Sequence, residues 1–218
     1  MIPKHARRGF TLVELLIVIV VIGILSAMMM LSSTEAVTTA KVSNIISNMR
    51  QLKTATLEWY TDHIDYIHPS DNDQIANYKM TYTDDNGNSS TGNAKTITNV
   101  ARNDPTEITR YLSNGGSVSL CEKKSGSART NNMNDLKEGS YMILDGTVMH
   151  PAALRTRWFV GYSVPNDKRI KQKIAGRAKS LGLISGWDNT TNSGKIYDST
   201  TNDGKFVYLE ILNLGDSQ

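Results

Sequence analysis

The rhythm of hydrophobic and polar positions changes along the chain. From Phe10 to Leu31 nearly every position is apolar; Thr11, Glu14 and Ser26 are the polar exceptions and Gly23 the one glycine. At 1.5 Å per residue this run makes a helix of roughly 33 Å, enough to cross a ~30 Å hydrocarbon core. From Val42 the pattern becomes a stripe at three-and-four spacing: Val42, Ile45, Ile46, Met49, Leu52, Ala55, Thr56, Trp59 and Tyr60, with Lys41, Asn44, Asn48, Lys53 and Asp62 on the other faces. That is an amphipathic helix. No proline lies between Pro3 and Pro69, and Gly23 is the only glycine between Gly9 and Gly87, so one helix is expected to run through both segments and to end near Asp65, before His68-Pro69.

Beyond it, residues 69–135 read as turn-rich loop, with Thr106–Leu112 a helical turn behind Pro105 and Ser117–Leu120 a short strand. Strand patterns begin at Tyr141. Tyr141–Leu144, Asp145-Gly146 and Thr147–His150 read as a hairpin. Thr156–Ser163 and Lys205–Leu212 complete four antiparallel strands expected to pack on the amphipathic helix. Between the last two lies a helix within Asn166–Leu183. Ile170, Ile174 and Leu181 share one face; Lys168, Arg169, Lys171, Lys173, Arg177 and Lys179 make the other strongly basic. Asn189–Tyr197 is echoed by Ser199–Tyr208, which reads as two successive hairpin turns. The fold class is therefore α+β: a long N-terminal helix packed on a small antiparallel sheet.

A carboxylate inside a membrane-length apolar run is costly, up to about 2.5–3.5 kcal/mol at mid-helix on insertion scales, so Glu14 calls for a partner. A basic leader, Met1-Ile-Pro-Lys-His-Ala-Arg-Arg-Gly9, precedes Phe10-Thr-Leu-Val-Glu14. Basic leader, Gly-Phe-Thr-Leu-Val-Glu and apolar helix together resemble the class III signal of type IV prepilins and type II secretion pseudopilins. The resemblance covers roughly the first 30 residues. It implies cleavage by a prepilin peptidase after Gly9, methylation of the new amino terminus at Phe10, and pairing of Glu14 with the terminal amine of a neighbouring subunit. The implied divisions are a leader at 1–9, a transmembrane and filament-core segment at 10–31, an amphipathic stem at 32–67 and a soluble head at 68–218. The head would carry a variable loop at 69–135 and the sheet at 141–212. Many major pilins break the helix with a proline toward the outer end of the membrane segment; Met28–Leu31 has none, which leans toward a pseudopilin or minor pilin.

Charge adds little once the leader is set aside. The chain has 24 Lys+Arg against 21 Asp+Glu, and Lys4, Arg7 and Arg8 supply the whole excess. The basic balance is thus poor support for nucleic-acid binding. The basic helix reads as a solvated surface, because it carries no aromatic residue to stack on bases; a patch for DNA or an acidic partner is the sharper alternative. Cys121, the only cysteine, permits no intrachain disulfide and is expected to be buried. His5, His63, His68 and His150 stand in no recognisable catalytic or zinc pattern, and no enzyme constellation emerges. Asp198, Asn202 and Asp203 are oxygen donors where some pseudopilins bind calcium; ordinary turns are the plainer account, with no cofactor.

The expected function is assembly: a subunit of a type IV pilus-like filament, held in the bacterial inner membrane with its N-terminus cytoplasmic before processing. It is then drawn into a periplasmic or extracellular fibre. Its partners would be other subunits, the prepilin peptidase and an inner-membrane assembly platform. The alternatives are a pseudopilin of a type II secretion or DNA-uptake machine and, from another class, a signal-anchored extracytoplasmic binding domain.

Overall fold

The computed structural model describes residues 10–62, 79–83, 89–93, 105–112, 118–125, 128–130, 132–146, 154, 157–188, 190–200 and 204–213. The chain divides into two units, residues 1–41 and 42–218. Helix α1, Leu12–Asp62, begins in the first and ends in the second. It continues through Gly23, as expected from the lack of proline, and residues 63–65, up to the expected end, lie outside the described residues.

In the first unit the apolar side chains of α1 have nothing to pack on. Phe10 and the large apolar residues from Leu12 to Met30 are all exposed, and the helix has an 18-residue window of mean hydropathy 2.8 with none of it buried. An uncovered apolar patch of this size is not tolerated by water and marks a membrane or partner surface. Length and composition fit a single membrane span.

The second unit is built on a five-stranded antiparallel sheet in the order β3-β4-β7-β5-β6. Its strands are β3 (Tyr141–Asp145), β4 (Arg157–Ser163), β5 (Leu183–Asp188), β6 (Ser193–Ile196) and β7 (Phe206–Asn213). A separate two-stranded ribbon pairs β1 (Lys79–Thr83) with β2 (Ser89–Asn93), inside the zone expected to be loop. All nine residues of the amphipathic stripe, Val42 to Tyr60, are buried. Their burial supplies the cohesion of this unit, because each apolar side chain removed from water contributes about 1.5–3 kcal/mol. Thr56 returns its hydroxyl to the Leu52 carbonyl at 2.7 Å, so its oxygen is satisfied within the helix. The flanking residues tie helix to sheet: the Asn48 amide donates to the Tyr141 hydroxyl at 3.3 Å and the Lys53 ammonium to the Glu210 carbonyl at 2.9 Å. Met133, in the 3-10 turn Met133–Asp135, packs on Gly161: a Cβ there would stand 3.0 Å from the Met133 methyl and 3.1 Å from its sulfur.

Three expectations are corrected. The strand from Tyr141 forms, but it pairs with β4, Tyr141 opposite Tyr162, and residues 147–150 lie outside the described residues. Asp145-Gly146 is no type I′ turn, since neither residue has a positive φ; the glycine is needed instead because a Cβ there would run into the Leu154 backbone. The sheet has five strands, with β5 inserted between β6 and β7. The first copy of the echo is the β5–β6 hairpin, turned through Asn192 at φ 46°. The second copy is not a hairpin, because β6 and β7 are not neighbours. The echo nonetheless survives in local chemistry. Asp188 accepts from the Thr190 N–H at 2.9 Å and Asp198 from the Thr200 N–H at 3.1 Å, the same Asx turn ten positions apart.

Helix α2 (Thr106–Thr109) is a single turn with Pro105 at its cap position and no side-chain cap. Where a strand was expected near Ser117–Leu120, the described part is an isolated parallel bridge from Leu120 to Tyr141. Helix α3, Lys168–Leu181, fills the expected interval. Asp167 caps its first turn by accepting from the Arg169 N–H at 2.8 Å, and Gly182 closes it in the left-handed region at φ 66°. Ile170 and Ile174 are buried as expected and Leu181 half-buried. Lys171 departs from the expected basic face: it is buried, its ammonium 3.1 Å from the Asn166 amide oxygen.

Candidate functional site: the helix N-terminus

The residues singled out for processing and assembly meet at the start of α1. Gly9 lies outside the described residues. Phe10 is 85% exposed and precedes the helix. Thr11 is the N-cap and Glu14 the third helical residue, and the two satisfy each other. The Glu14 N–H donates to the Thr11 hydroxyl oxygen at 3.2 Å; Glu14 Oε2 accepts from the Thr11 N–H and from the Thr11 hydroxyl, both at 2.8 Å. This is a reciprocal capping box, which supplies partners for backbone donors that a helix start otherwise leaves bare. It also places the carboxylate where the positive end of the helix dipole favours it. The other carboxylate oxygen, Oε1, has no partner among the described residues.

The cap gives Thr11 a role that the sequence reading left unassigned. Its signal was the Thr-x-x-Glu spacing ahead of an apolar run.

Chemically the arrangement holds one acid at fixed height in a side-chain environment that is otherwise hydrocarbon. The match of the chain to known families falls on this same stretch: residues 4–30 match the prokaryotic N-terminal methylation motif. The chain carries the type IV pilin and pseudopilin signature. The motif supports a pilin- or pseudopilin-type substrate of the prepilin peptidase and filament assembly in general, and suggests a structural subunit. With the apolar helix it fits a membrane-anchored pilin. No curated protein and no solved structure matches the chain.

The residues considered for calcium are Asp198, Asn202 and Asp203. Asn202 and Asp203 lie outside the described residues. Asp198 is exposed, and both its oxygens are engaged by Thr200: Oδ1 by the N–H and Oδ2 by the hydroxyl at 2.8 Å. The hydroxyl and then the N–H of Thr200 hold this carboxyl below its ordinary range. Cys121 is buried, as expected, and takes a left-handed backbone at φ 58°. Its N–H donates to the Tyr141 carbonyl at 2.7 Å and its carbonyl accepts from Thr130 at 2.9 Å, which holds the loop on the β3 edge.

Proposed function

We propose that this chain is a structural subunit of a type IV pilus-like filament. It is cut between Gly9 and Phe10, methylated at Phe10, and polymerised through the apolar half of α1. The observation that carries the reading is the bare apolar surface from Phe10 to Met30, interrupted by one carboxylate held in the first turn. Lys4, Arg7 and Arg8 keep the leader cytoplasmic by the positive-inside rule, and the head is then outside the inner membrane. Extraction into a fibre replaces lipid around the helix by neighbouring helices. Glu14, with Oε1 open, then meets the terminal amine of another subunit. In a low-dielectric bundle each charge cancels much of the other's burial cost, so the pair fixes register more than it adds stability.

A second reading, a pseudopilin of a secretion or DNA-uptake machine, is favoured by the unbroken helix through Met28–Leu31. It shares every processing step and differs in the length and place of the fibre. A signal-anchored binding domain would need neither cleavage nor Glu14.

The test is electron microscopy of sheared surfaces from the native host, comparing the wild-type chain with Glu14→Val at matched subunit levels. Removing a buried charge leaves insertion intact or improves it. Loss of fibres supports the pairing role; wild-type amounts of fibre from Glu14→Val would refute it.

A further inference from the structure

Helix α3 carries six basic residues and no acid. With Lys171 turned inward, Lys168, Arg169, Arg177 and Lys179 remain exposed, and Lys168, Arg169 and Lys179 form no ion pair among the described residues. The C-terminal half of this helix lies along α1. There Arg177 donates to the Ser43 hydroxyl at 3.2 Å and forms one wall of a groove of about 460 Å³. The other wall carries Arg50, exposed and likewise without an ion pair among the described residues. Hydroxyls of Ser47, Thr54 and Ser180 line the space between them. Two guanidinium groups over a hydroxyl-lined groove are built to take carboxylates or other oxyanions, since the planar fork of arginine matches two oxygens at once.

The matching surface is on the same chain. Glu58 and Asp62 are exposed one turn apart near the end of α1. Asp62 is fixed by the Tyr111 hydroxyl at 2.6 Å, which brings the α2 turn and Glu107 alongside, with Arg110 as the neighbouring cation. Glu58 has no ion pair among the described residues. From Ser43, beside Arg177, to Glu58 is fifteen residues of continuous helix, roughly 22 Å along its axis, so the Arg177 end of the groove does not reach Glu58 of its own chain.

We propose that the α1–α3 groove, with the basic face of α3, receives the Glu58–Asp62 edge of a second copy of this chain. The contact joins two different patches. It is therefore heterologous, and repeats head to tail instead of closing into a dimer. This rests on the filament reading, which sets identical heads side by side and supplies the effective concentration that charge pairs on a rim need. A polyanion such as DNA fits less well, because no aromatic residue of α3 is available to stack on bases.

The experiment uses the full chain in its native host. Arg177→Glu with Lys179→Glu reverses one surface; Glu58→Lys with Asp62→Lys reverses the other. Each pair alone is expected to lower the yield of sheared fibre about tenfold, and the four together to restore most of it. Zero-length carbodiimide coupling in native membranes is expected to join Lys179 to Glu58 or Asp62 of another copy. Harmless reversal, a combined variant no better than the weaker pair, or absence of that cross-link would overturn the proposal. If the wild-type chain gives the cross-link but no fibre, the filament reading falls and this contact stands. Reversal of α3 that spares fibres but abolishes retention of a DNA duplex would assign the face to nucleic acid and overturn it.

Discussion

The rings of Trp59 and Trp158 lie 6.4 Å apart between centroids, tilted by 46°, and Tyr60 meets the same Trp158 edge-on at 5.3 Å. One indole of the sheet thus receives two consecutive aromatic residues of α1. Trp59 is 3% exposed. Its truncation to alanine leaves a large cavity against Trp158, and Trp59→Ala should cost about 3–5 kcal/mol. A fragment beginning at Ser33 keeps the entire buried stripe from Val42 and should be a soluble monomer with helix and antiparallel sheet by circular dichroism. The urea midpoint of that fragment measures the cost; a negligible shift would mean that this helix face does not carry the packing.

Alkali should destabilise the head through its buried phenols. Burial pushes the phenols of Tyr141, Tyr197 and Tyr208 each up to about 12, and that of Tyr162 higher, with the Tyr141 and Glu138 charges adding to it. In the unfolded chain these groups ionise near 10. Folded values above unfolded ones mean that the stabilisation is complete below about pH 10 and is lost as pH rises through about 12. Each tyrosine titrating only in the unfolded state removes about 1.4 kcal/mol per pH unit. Urea midpoints across that window should fall steeply, with tyrosinate absorbance appearing together with unfolding. A flat midpoint would contradict the buried phenols.

Glutamine separates the two duties of Glu14. Its amide oxygen can accept from the Thr11 N–H as the carboxylate does, so the capping box survives Glu14→Gln, whereas the negative charge does not. Cleavage and membrane insertion should be unchanged and fibre assembly should fall nearly as far as in Glu14→Val. Full assembly by Glu14→Gln would show that the cap, and not the charge, is what the filament uses. Thr11→Ala is the converse, expected to cost about 1 kcal/mol at the helix start while leaving the charge in place.

Cys121 should be silent in the native head. It is 1% exposed, beneath the loop that its own backbone pins to Tyr141. A thiol reagent should label it only on unfolding, and non-reducing gels of the native chain should show no disulfide-linked dimer. Rapid stoichiometric labelling of the folded chain would contradict the burial.

The helical part of the molecule was legible because its signals are periodic and local. The stripe from Val42 to Tyr60 is complete in the sequence, and the interval Asn166–Leu183 holds α3, whose caps Asp167 and Gly182 the structure supplies. The strands were less so. β5 and β6 contain Gly186, Asp188, Gly194 and Lys195, residues whose turn chemistry outweighs any alternation, and β5 lies between β6 and β7 only because non-local pairing puts it there. Asp145-Gly146 misled for the same reason: the glycine answers to Leu154, a contact with no local signature. Lys171 reads as solvated by charge, yet its position one step from Ile170 brings its stem inward and Asn166 meets its head. At the site, Gly9, Phe10 and Glu14 follow from a motif, while the Thr11 cap had to be seen as spacing.

A processed filament subunit is defined by the cut between Gly9 and Phe10. Intact-mass spectrometry of the protein from its native host measures this directly. The predicted chain begins at Phe10 with one added methyl group, and Gly9→Val accumulates the uncut precursor. A chain that keeps Met1, or begins at another residue, would contradict it.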